Sequence, residues 1–142
     1  MANLDGYIER VLDDEDKVLI AEASACLGAG SLRAAYITIW LATAESLRRK
    51  FTEAAVRDGQ AGKILAQIRR GEEQHRSVDR MLIDEAKSYG FVTDAEATRL
   101  RHIYENRCVF GHPYEQCPSK QLVRTAASEA VDIVLGRPVA LR

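Results

Sequence analysis

Residues 31–51 read SLRAAYITIWLATAESLRRKF, and the spacing of their apolar side chains decides the fold class. Leu32, Tyr36, Ile39, Trp40, Thr43, Leu47 and Phe51 recur at steps of three and four. That spacing lays one apolar face along about five turns of helix. Gly28 and Gly30 are stop signals just upstream, and Ser31 is an N-cap residue. The basic run Arg48, Arg49, Lys50 suits a helix C-terminus if the helix stops near Val56.

The pattern stays helical in both directions. The three prolines fall at 113, 118 and 138, so the first 112 residues contain none and show few Val, Ile or Thr clusters. Such a run reads as helix throughout. A first stretch from Asp5 to Leu27 carries Ile8, Val11, Leu12, Leu19, Ala23, Cys26 and Leu27, with a break placed near DDED (13–16). Further helices are expected over about 61–70 and 77–89, the latter ended by Gly90. TDAE (93–96) has the capping-box form and opens another, with Ala97, Leu100, Ile103, Tyr104 and Cys108 on its apolar side and Gly111 as its stop. Ser119 caps a last helix through Leu135, which LGRP (135–138) closes. The expectation is an all-α antiparallel bundle of five to six helices, one domain over residues 1–142. The tail 136–142 has an alternative reading as a linker into a further domain.

Composition narrows the function classes. The 142 residues are 46% hydrophobic and 29% charged, an ordinary globular balance. No run of apolar residues is long enough for a transmembrane helix. The acidic start MANLDGYIERVLDDEDK lacks the basic and apolar regions of a secretory signal. Cys26, Cys108 and Cys117 are too few and scattered for a disulfide framework, so a reducing, cytoplasmic setting is expected. A net charge of −1, from 20 basic and 21 acidic side chains, argues against coating nucleic acid by bulk charge but leaves room for a local basic cleft.

The stretch that carries chemistry is YENRCVFGHPYEQCP (104–118). On an unbroken helix Arg107 and His112 stand about 140° apart around the axis. They converge within one chain only if the helix ends between them. Gly111 permits that by taking a left-handed conformation, and Pro113 pushes His112 out of the helical region. Arginine offers a permanent planar cation for phosphate, and histidine a proton donor or acceptor near neutral pH. A phosphodiester with a neighbouring 2′-hydroxyl needs those two services and in principle no metal. One such pair is a thin set, and a symmetric dimer would supply two.

R-x4-H at the end of a late bundle helix, Arg107 to His112 followed by Pro113, resembles the signature of HEPN domains. The helix over 31–51, with Glu45 in an acidic position, and the capped helix CPSKQLVRTAASEAVDIVL (117–135) are similar to the family pattern as well. The resemblance spans roughly residues 5–135. It implies a helical bundle that dimerises, pairing two motifs into one metal-independent endoribonuclease site of the kind found in bacterial toxin–antitoxin and antiphage systems. By position Arg107 would stabilise phosphate charge and His112 would act as acid or base. The family often has a polar residue directly after the arginine. Here Cys108 takes that place and Asn106 precedes the arginine.

Each of these residues also has a plainer reading. Arg107 and His112 are two cations that would cap a helix C-terminus. Glu45 either orients Arg107 or pairs with Arg48 or Arg49 along its own helix. Arg48, Arg49 and Arg101, with Arg99, form an RNA-binding strip if they face one groove; otherwise Arg101 pairs with Glu105. DDED (13–16) reads as a solvated face, and Tyr36 and Trp40 as core. His102, Cys108, His112 and Cys117 lack a tight metal-binding knuckle, so neither a metal nor any other cofactor is expected. The expected partners are RNA and a second copy of the chain, with an antitoxin or defence-system protein as a further candidate. The rival to a nuclease is a non-catalytic HEPN module that holds RNA, a nucleotide or a partner protein.

Overall fold

In the computed structural model, which describes residues 3–113 and 116–139, the stretch over 31–51 lies in the third and longest of seven helices. These are α1 (Asp5–Ile8), α2 (Asp14–Gly28), α3 (Leu32–Ala55), α4 (Gly59–Glu73), α5 (Asp79–Tyr89), α6 (Asp94–Phe110) and α7 (Lys120–Ala130), followed by one π-helical turn, Val131–Leu135. Among the described residues there is no strand, so the chain is an all-α bundle. No described helix is long and apolar enough to cross a membrane.

The other long helices and the π turn pack around α3. The stripe of large apolar residues marks only part of its contact surface. Ala35 and Ala42 are buried too, on another side of the helix, and their small side chains let neighbours come close. α2 and α6 run antiparallel to α3, and α7 runs parallel to it. Tyr36 meets Phe110 with ring centroids 5.0 Å apart and Trp40 meets Tyr104 at 5.4 Å, which fixes α3 against α6. Arg49 near the end of α3 reaches Asp16 at the start of α2.

Local signals act largely as the sequence implies. Thr93 and Glu96 form both hydrogen bonds of a capping box, Ser119 accepts from the Leu122 amide, and Gly90 ends α5 in the left-handed region at φ 96°. Ser31 sits at the N-cap of α3 but makes no side-chain cap bond. DDED departs from its reading as a solvated face. Asp13 caps α2 through the Glu15 and Asp16 amides, and Asp16 is only 1% exposed, taking two hydrogen bonds from Arg49.

The last helix also changes character. Its regular part stops at Ala130, and the Gly136 amide closes a wider turn on the Val131 carbonyl at 2.8 Å. A Cβ at Gly136 would lie 2.8 Å from that carbonyl oxygen and 3.2 Å from the Arg10 carbonyl oxygen, both rigid backbone. Gly136→Ala is therefore expected to destabilise the fold by about 1–3 kcal/mol, the usual range for overpacking. An unchanged urea midpoint would show that the backbone gives way freely there.

Residues 136–139 are fastened to the bundle; 140–142, the rest of the tail read as a linker, lie outside the described residues. Lys50, buried on α3, donates to the Arg137 carbonyl at 2.7 Å, and the Arg137 guanidinium pairs with Glu96 on α6. Hydrogen bonding from Arg137 holds the Glu96 carboxyl at about 2, against a burial effect of opposite sign. A folded-state pKa below the unfolded value means stabilisation that is present above about pH 4.5 and lost as pH falls through about 2. Arg137 is 42% exposed, so solvent screening leaves about 1 kcal/mol at most. Glu96→Gln keeps the capping box and removes the ion pair. It should lower stability at neutral pH and flatten the acid limb of a urea-midpoint profile. Parallel profiles for the two proteins would refute the linkage.

Candidate active site at the end of α6

Arg107 lies on the last turn of α6, half-buried, and His112 is exposed just beyond the helix end. Gly111 does not adopt the left-handed conformation expected for it: φ is −71° and ψ −17°. Its amide bonds the Arg107 carbonyl at 2.9 Å, and the His112 amide bonds the Val109 carbonyl at 3.2 Å. The helix proper ends at Phe110, and Gly111 extends its right-handed path by one residue before Pro113, which has no N–H and disfavours a helical His112, stops it. His112 accordingly stays about 140° around the axis from Arg107 rather than turning back beside it. The Arg107 side chain runs along the final turn, with Nη1 3.8 Å from where a Cβ on Gly111 would be.

A residue that the sequence reading did not single out anchors this helix end. Arg33, at the start of α3, donates from Nε to the Phe110 carbonyl at 2.6 Å and from a terminal nitrogen to the Gln116 carbonyl at 2.9 Å. It thereby caps α6 and ties down the chain beyond the His-Pro pair. The plain reading of Arg107 and His112 as the capping cations is met by Arg33 instead. Nothing in the local sequence marks Arg33, because its partners lie about 80 residues away.

Among the described residues neither Arg107 nor His112 has an ion pair or a side-chain hydrogen bond, and the exposed side chain of Val109 stands between them in sequence. The supporting residues assigned from sequence lie elsewhere. Glu45 pairs with Arg48, which also reaches Glu72 on α4 at 2.8 Å, so it faces α4 and does not orient Arg107. Asn106, one residue round the helix, donates to the Tyr36 hydroxyl at 3.2 Å rather than to the pair. Cys108 is a half-buried free thiol with no hydrogen bond to either residue.

The proposed basic strip separates as well. Arg48 is held by Glu45 and Glu72. Arg49 is held by Asp16 and Asp13 at the start of α2, and Arg101 lies 3.7 Å from Asp84 on α5 instead of pairing with Glu105. These three arginines face three different helices, where each meets an acid remote in the linear sequence, and Arg48 also keeps Glu45 of its own helix. Among the described residues no three His, Cys, Asp or Glu side chains gather to hold a metal ion. The chain matches no protein-family model, no curated protein and no solved structure.

Proposed function

We propose that the chain is a cytoplasmic, metal-independent endoribonuclease that acts as a homodimer, cutting RNA by attack of a 2′-hydroxyl on the adjacent phosphodiester. The observation that carries this reading is the state of Arg107. Of Arg48, Arg49, Arg101 and Arg107, it alone has no acidic partner among the described residues, and it shares an exposed helix end with an unpaired histidine. An unpaired guanidinium is ready to take a phosphate. Because Arg107 and His112 leave α6 on different bearings, a second copy is needed to set a histidine against the phosphate that Arg107 holds. Two histidines then serve as base and acid, one removing the 2′-hydroxyl proton and one protonating the leaving 5′-oxygen. The resemblance to HEPN domains supports the same chemistry and a role in a toxin–antitoxin or antiphage system under a partner protein's control.

The test is cleavage of RNA in excess EDTA, with the products examined for 2′,3′-cyclic phosphate ends and the protein's mass in solution measured by light scattering. Cyclic ends made by a dimer agree with the proposal; a strict monomer that cuts would overturn the composite site. One observation favours the rival reading of a non-catalytic module. With Arg48, Arg49 and Arg101 engaged, these arginines form no continuous basic strip. That reading predicts RNA or a partner retained intact, with affinity falling as salt is added.

A further inference from the structure

Between α6 and α7 lies an open groove of about 490 Å³, whose lining does not include Arg107. Its floor is the Tyr36 side chain, 1% exposed, whose hydroxyl accepts from Asn106 and keeps its own hydrogen to donate. Burial raises the phenol's pKa, the hydrogen bond from Asn106 works against that, and the nearby Glu129 charge adds to it. Tyr36 thus stays a neutral donor. Asn106 retains one N–H and its carbonyl oxygen, and Glu129 lines the α7 wall as an acceptor. Ile103 and Leu122 supply apolar walls, and Arg99 and His102 stand exposed at the rim, without ion pairs among the described residues. Arg99, His102, Ile103 and Asn106 follow one face of α6 over about 10 Å.

We infer that this groove binds a guanine nucleotide, its base between Ile103 and Leu122 and its phosphate at Arg99 and His102. Guanine fits the donors and acceptors. Its N1–H and 2-amino group are adjacent donors that a carboxylate such as Glu129 accepts together, while O6 and N7 accept from Tyr36 and Asn106. Adenine has no second donor beside its amino group, and the pyrimidines leave more of the apolar wall uncovered. The ligand is a free nucleotide or a guanosine within an RNA strand. Binding stands on the groove alone. The further point, that a strand so held passes towards Arg107 and His112, rests on the nuclease reading.

The test is calorimetric titration of the full chain with GMP, AMP, CMP, UMP and guanosine, and of His112→Ala with uncut oligouridine containing or lacking one guanosine. GMP is expected to bind at least tenfold more tightly than the other nucleotides, and Glu129→Gln to abolish that preference. Arg99→Gln with His102→Gln, both at exposed positions, should weaken GMP several-fold and leave guanosine unchanged. Equal binding of all four nucleotides, binding of none, or an unaltered preference in Glu129→Gln would overturn the inference. GMP bound without the guanosine oligonucleotide identifies the free nucleotide as ligand; both bound identifies the RNA strand. Loss of cleavage in His112→Ala with GMP binding intact separates this site from the nuclease chemistry.

Discussion

Replacing His112 by alanine is expected to lower metal-free RNA cleavage by about 10²–10⁴-fold, the range that a positioned acid or base contributes. At a factor of ten per 1.36 kcal/mol, that is about 3–5 kcal/mol of transition-state stabilisation. The fold should not suffer, because the side chain is exposed and has no hydrogen bond among the described residues. The melting temperature is expected to stay within about 2 °C of the parent's, as for surface substitutions generally. Arg107→Ala should reduce the rate to a similar degree by withdrawing charge from the phosphate. Because each copy supplies one of the two histidines, mixed dimers of the parent with His112→Ala protein are expected to lose most of their activity as well. Variants that cut as fast as the parent would dismiss the pair as catalytic.

The largest stability effect is expected at Asp16. Its carboxylate is 1% exposed and takes hydrogen bonds of 3.1 and 3.2 Å from the two terminal nitrogens of Arg49. Lys50 lies nearby, its pKa lowered by burial and pulled back up by the Asp16 charge. Removing the acid would leave two cations poorly compensated in a partly buried place. Breaking a buried pair typically costs about 3–5 kcal/mol. Asp13 remains 3.4 Å from Arg49, so the expected loss for Asp16→Ala is nearer 2–3 kcal/mol, or a fall in melting temperature on the order of 10 °C. Glu15→Ala is the control: that side chain is 86% exposed and lies 3.8 Å from Arg49, so its removal should change stability by less than about 0.5 kcal/mol. A loss of under about 1 kcal/mol for Asp16→Ala would mean that Asp13 takes over the pairing.

Sequence alone settled what depends on neighbours a few positions apart. The three-and-four spacing over 31–51 specifies α3 because residues that close in sequence share a helix face whatever surrounds them. The Thr93–Glu96 capping box, the Ser119 cap and the left-handed Gly90 follow from bonds made within one turn. Even the break near DDED is local, since Asp13 caps its own helix.

What stayed out of reach are contacts between residues remote in the chain. Asp16 and Arg49 are 33 positions apart, and Arg33 reaches the end of α6 across 77. No periodicity records such pairs. The same holds for the arginines assigned to an RNA strip: their bearings depend on which acids α2, α4 and α5 bring alongside. The groove with Tyr36 at its base escaped for a related reason. Tyr36 has the spacing of a core residue and is one, but α6 and α7 part above its hydroxyl, and only their packing decides that a buried phenol also faces an opening. At Gly111 a local rule misled: glycine permits a left-handed turn, but Arg33 bonding to the Phe110 carbonyl satisfies the helix end, so no reversal is required. Short-range hydrogen bonding therefore wrote the helices into the sequence, whereas long-range pairing of charged and polar groups arranged the surfaces on which function depends.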